Sequence, residues 1–143
     1  MNIWQFQDLL SRRLLRWAAI SIGAGIFLSL GSNFARRLGS QFVGWGLVNA
    51  LIALWGEASM RRRLDQVENP GADDVLAKEE QNLQRLLWIN TGLDVFYVLG
   101  GFLWMKRDRG DQRAKGIGWG VVIQGAALFL FDLIHVLRLP SKR

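Results

Sequence analysis

The 143-residue chain has no cysteine, a single histidine and a single tyrosine. Without cysteine it can form no disulfide, no thiolate nucleophile and no Cys-ligated metal centre. With only His135, haem held by two histidines of one chain is excluded. Asp132, His135 and Glu57 together would make a poor donor set for zinc, which favours several His or Cys ligands. No metal site and no cofactor are therefore expected. There is no Gly-rich phosphate loop, no dinucleotide fingerprint and no arguable Ser–His–Asp set, so no catalytic residue is assigned. Charge is also missing from four long runs of the chain.

Apolar residues make up half of the sequence, with seven Trp, eight Phe and sixteen Gly. The four runs are residues 14–34, 41–59, 86–105 and 117–137, each close to the roughly 20 residues a bilayer-spanning helix needs. The first holds only Arg16 and the second only Glu57, both near an end; the third holds Asp94, and the fourth Asp132 and His135. A soluble bundle would carry a charged face on every helix, and these runs have none. The net charge of +6 sits in short clusters between the runs rather than in one patch. That distribution points to a lipid bilayer as partner and away from nucleic acid. The expected fold is all-α: a four-helix transmembrane bundle in a single membrane domain. Most of the tryptophans fall near the ends of the runs, as interfacial indoles do.

The opening MNIWQFQDLLSRRLLRW interleaves Ile3, Trp4, Phe6, Leu9 and Leu10 with polar residues and lacks the short apolar core of a cleaved leader. It reads as an amphipathic start to the first helix, lying in the headgroup zone. Asn69, Pro70 and Gly71 signal a turn, with Asp73 or Asp74 capping a helix that runs into the third span. Helices two and three should thus extend past the bilayer as a hairpin, and Lys78, Glu79, Glu80 and Arg85 should form a solvated surface. GWGLV at 44–48 and GWGVV at 118–122 open the second and fourth spans, and RLLRW and RLLW end at Trp17 and Trp88. These matches suggest a parallel internal repeat with offsets of 71 to 74 residues: hairpin one over 1–64, a connector over 65–77 and hairpin two over 78–143.

Two sets of side chains should face inward. Ser21, Gly25 and Ser29, then Gly46 and Ala50, then Gly116 and Gly120 recur every four residues, the spacing that lets helix backbones approach in lipid. Asn90, Asp94 and Tyr97 share one helix face, Asn49 and Glu57 lie on another, and Gln124, Asp132 and His135 on a third. Together they outline a polar pocket inside the bundle, biased toward the end bearing both termini. An acid at mid-helix costs roughly 2.5–3.5 kcal/mol to insert, which hydrogen bonds worth about 0.6 kcal/mol each do not offset. Asp132 and His135, three residues apart, suggest an acid–imidazole pair.

The GWG opening, the QG at 124–125 and the FDLIH at 131–135 resemble a pattern in small, uncharacterised four-span bacterial membrane proteins. The resemblance implies a multi-pass protein of the cell membrane and carries over no activity to this chain. Eleven of the Lys and Arg lie with the termini and the long connector and seven in the two short loops, which favours cytoplasmic termini. Two functions remain open. One is a non-enzymatic scaffold, partner subunit or small-ligand sensor, alone, as a homodimer or beside another membrane protein. The other is a small proton-coupled transporter or channel using Asp94 and the Asp132/His135 pair.

Overall fold

The computed structural model describes residues 1–107 and 110–140. They form four α-helices: α1 (Ile3–Leu28), α2 (Asn33–Gln66), α3 (Asp73–Arg107) and α4 (Gln112–Leu137). Each start has a local chemical cause. Asn2 and Gln5 form a reciprocal capping box at α1, and the Ser32 and Asp111 side chains accept from the backbone of Ala35 and Arg113, satisfying amide groups that have no partner within the helix. α3 opens on Asp73 and Asp74 and closes on Lys106 and Arg107, matching both ends of its dipole. The turn between α2 and α3 is built by Asn69, whose side chain accepts from Gly71 N and whose carbonyl accepts from Ala72 N.

α1 packs along α2 and α3 along α4, giving two antiparallel hairpins joined by contact between α2 and α4; α1 meets α3 only toward the connector's end, through side chains. The ends of α1 and α4 near Ile3 and Val136 lie beside Met60 and Leu83 in one apolar cluster. Both ends of the described chain therefore share the connector's end of the bundle.

α2, α3 and α4 are long and apolar enough to cross a membrane. α1 does not meet that measure, which narrows the expectation of four spans. α1 stops at Leu28, so any eighteen-residue window reaching that end takes in Arg12, Arg13 and Arg16. The helix is composite instead. Its first half is amphipathic, and its apolar half runs only from Trp17 to Leu28, about 18 Å at roughly 1.5 Å per residue.

Polarity is inverted over the span-forming parts. Large apolar side chains such as Phe27, Leu51, Trp55, Phe96 and Leu103 face outward, while Ser21, Asn49, Asp94 and Gln124 are buried. Such a surface suits acyl chains, where burying oil against oil gains little and close backbone packing holds helices together. Glycine provides the approach. A Cβ on Gly25 would lie 2.6 Å from Gly39 O and 2.7 Å from a Val43 methyl, and one on Gly101 would lie 2.9 Å from Gly118 O and 2.8 Å from a Val122 methyl. Likewise Gly46 is packed on Ile22 and Gly125 on Val98. The same contacts thus recur in both hairpins, with offsets of 76 residues from α1 to α3 and 79 from α2 to α4. This register differs from the 71 to 74 suggested by the GWG motifs, because Gly118 packs as Gly39 does and Gly46 as Gly125 does.

Candidate functional site

At the connector's end the first half of α1 does not lie flat on a surface. Ile3, Trp4 and Phe6 are buried against Met60, Leu83, Leu87 and Val136, and Trp4 Nε1 donates to Pro70 O at 3.0 Å. The apolar face of the amphipathic segment thus has a protein partner in the hairpin of α2 and α3. Polar side chains on the same turns interlock. Arg63 Nε donates to both Glu79 carboxylate oxygens at 3.1 and 3.2 Å, and its terminal nitrogens reach Ser59 Oγ at 2.7 Å and Gln7 Oε1 at 2.9 Å. Gln7 Nε2 donates to Glu79 Oε2 at 3.1 Å. Glu79, expected on a solvated surface, is buried and ties three helices together. The sequence signal was present in the face Ile3, Phe6, Gln7 and Leu10, which has helical spacing and includes one polar member.

Deeper in the bundle, Asp94 on α3 and Asp132 on α4 are both buried and lie close together. Neither forms an ion pair among the described residues, and Asp94 Oδ2 is buried without a hydrogen-bond partner there. Under the offsets that relate the hairpins, Asp94 corresponds to Ala18 and Asp132 to Ala53. Both alanines are buried. One hairpin thus packs with methyl groups at the positions where the other carries two acids. A second pair of matched positions brackets the centre: Ser21 Oγ accepts from Gln124 Nε2 at 3.2 Å, and at the corresponding place Tyr97 meets Trp45 edge-on at 4.9 Å between ring centroids. Gln124 Oε1, Asn49 Nδ2 and Trp17 Nε1 are buried without a partner among the described residues.

The acid–imidazole pair suggested by the spacing of Asp132 and His135 is not made. Arg13 contacts His135 Nε2 at 3.1 Å, and Nδ1 lies 2.6 Å from Phe131 O. A guanidinium has no lone pair, so Nε2 accepts and Nδ1 carries the proton that Phe131 O receives. Both ring nitrogens are occupied, and Phe6 and Phe131 pack on the ring. Arg13 escaped the sequence reading because its partner lies on another helix.

The remaining expected residues divide. Asn49 and Gln124 are buried, and Asn90 is half-buried beside a cavity. Glu57 turns along its own helix to Arg61, and Tyr97, partly exposed, packs its ring on Trp45 rather than entering the polar set. Among the small residues, Gly25 and Gly46 seat α1 on α2, and Gly116 and Gly120 seat α4 on Phe34, Leu38 and Gln41 of α2. Ser21 contributes a hydrogen bond rather than close packing. Ser29 is exposed at the end of α1, its hydroxyl donating to Ile26 O, and Ala50 is half-buried.

Where α1 and α3 diverge, a cavity of about 880 Å³ opens between the four helices. Leu10, Leu14, Ile52, Leu86 and Phe131 form much of its wall, Arg63 and Glu79 lie at one end, and Asp132 and Asn90 face into it. Among the described residues no group of three or more His, Asp or Glu is arranged to hold a metal ion.

A sequence model described as a family of unknown function, DUF6992, matches residues 13–133. No curated protein and no solved structure matches the chain.

Proposed function

The chain belongs to that family of unknown function, and we propose that it is a non-enzymatic multi-pass protein of the cell membrane that binds a small hydrophobic ligand, acting as a sensor or scaffold. The observation that supports this reading is the cavity, whose apolar walls lead from the polar cap to a buried acid. Ligand sites have this composition: mostly apolar lining with a few placed polar groups. The cavity's apolar lining and its few polar groups support binding as the role. Both termini and the connector face the cytoplasm, in accord with the eleven basic residues at that end.

The test is photolabelling. In nanodiscs, a diazirine-bearing dodecanol should label residues of 51–59 and 82–90 ahead of other lipid-facing positions. Gly56→Leu, which narrows the cavity beside Ser11, should suppress that labelling. Even labelling around all four helices overturns the proposal.

The facing carboxyl groups favour one further reading, a small proton-coupled transporter or channel, since acids buried at membrane depth commonly mark proton routes. In that case liposomes would show flux driven by a pH gradient and abolished by Asp94→Asn. Wild-type protein without flux ends this reading.

A further inference from the structure

The acid pair and the cavity are adjacent, since Asp132 belongs to both. Both carboxyl groups are buried, and when either ionises it places a negative charge in the bundle interior. Among the described residues neither acid has an ion-pair partner. Arg63, the basic residue lining the cavity, is engaged by Glu79, Gln7 and Ser59, and Arg13 is engaged by His135. Burying a charge without a counter-charge is costly.

Helix packing does not account for the acids. The matched positions in the first hairpin, Ala18 and Ala53, achieve burial with methyl groups, and the glycine contacts on either side are the same in both hairpins. The carboxyl pair is therefore an addition to a packing scheme that works without it. Its counter-charge would have to enter through the cavity, whose Leu, Ile and Phe walls match hydrocarbon and whose volume far exceeds that of a bare ion.

From this we infer that the cavity takes an amphiphilic amine, with its cationic nitrogen at Asp132 and Asp94 and its hydrocarbon along Leu10, Leu14, Ile52 and Phe131. The inference rests on the binding role proposed above and specifies its ligand class. Asn90, beside Asp132 at the cavity wall, offers a carbonyl oxygen to the same N–H donors.

The experiment extends the photolabelling in nanodiscs. Dodecylamine and dodecanol compete with the diazirine probe, each referred to its bilayer-bound concentration. In the wild type the amine should displace the label at a concentration at least about tenfold lower than the alcohol, the ratio expected of one charge-assisted hydrogen bond. Asp132→Asn should bring the two competitors to parity while leaving dodecanol unchanged. The double variant Asp94→Ala/Asp132→Ala, which copies the first hairpin, should do the same and remain folded by thermal-shift assay. Equal competition by amine and alcohol in the wild type overturns the amine assignment and leaves the cavity reading standing. Amine preference that survives Asp132→Asn also overturns it. Absence of any cavity-specific label removes both proposals.

Discussion

Single glycines decide how near these helices come. At Gly25 even one added carbon meets the backbone of the opposing helix, and neither carbonyl nor amide can swing aside as a side-chain tip would. Gly25→Val should therefore lower stability in detergent by about 1–3 kcal/mol, the range for overpacking, read as an earlier thermal aggregation midpoint. Gly101→Val should behave alike. Gly92 and Gly100, where an added methyl meets nothing within 4 Å, provide the contrast. Either glycine changed to alanine should be neutral or stabilising by up to about 1 kcal/mol in the same assay, because alanine favours the helix. The sequence marks Gly25 and Gly46 by their spacing but cannot separate them from Gly92 and Gly100. That distinction depends on which face of α3 meets α4, and glycine carries no polarity to indicate a face. Asp94 and Asp132 were legible because acids are rare in apolar runs. Their proximity was not, since spacing within one helix drew Asp132 toward His135 while Asp94 is 38 residues away in sequence.

The elements differ in how fully their sequences announce them. α3 and α4 read as spans from apolar length alone, and the turn at Asn69–Gly71 from its chemistry. α1 misled because its two halves answer to different surroundings, and an amphipathic stripe has the same pattern whether it faces lipid headgroups or another helix. Trp4 is the test of which it is. Trp4→Ala removes a buried ring and the bond to Pro70 O, costing about 3–5 kcal/mol within the cap if the usual core range holds. Limited trypsin digestion should then cut after Arg12 or Arg13 much sooner than in the wild type, with the spans still resistant. Glu79→Ala acts on the same cap from α3. It strips Arg63 and Gln7 of their shared acceptor, and since Arg63 is partly exposed the loss should be about 1–3 kcal/mol. Chemical denaturation in mild detergent, followed by Trp fluorescence, measures it.

At the scale of the whole molecule, the outside is oil, the inside is small and polar, and one end carries a water-facing cap built on ordinary apolar burial. The protein should accordingly stay with the pellet when membranes are washed in alkaline carbonate and enter solution only with detergent; release by carbonate alone would contradict the membrane reading. Engineered cysteines at Ser40 and Glu68 should label from opposite sides of sealed vesicles, given that the connector lies at the other end of the bundle from the start of α2.

Because the cap is knitted from the start of α1, the end of α2 and the start of α3, the opening helix cannot complete its contacts when it first leaves the ribosome. Gln7 must wait for Glu79, Trp4 for Pro70, and Arg13 for His135, which is made almost last. Of the four helices, the one that precedes the others in the chain is thus the one whose contacts are finished latest, and until then its charged, half-apolar first turns must be kept from wandering by whatever shepherds nascent chains.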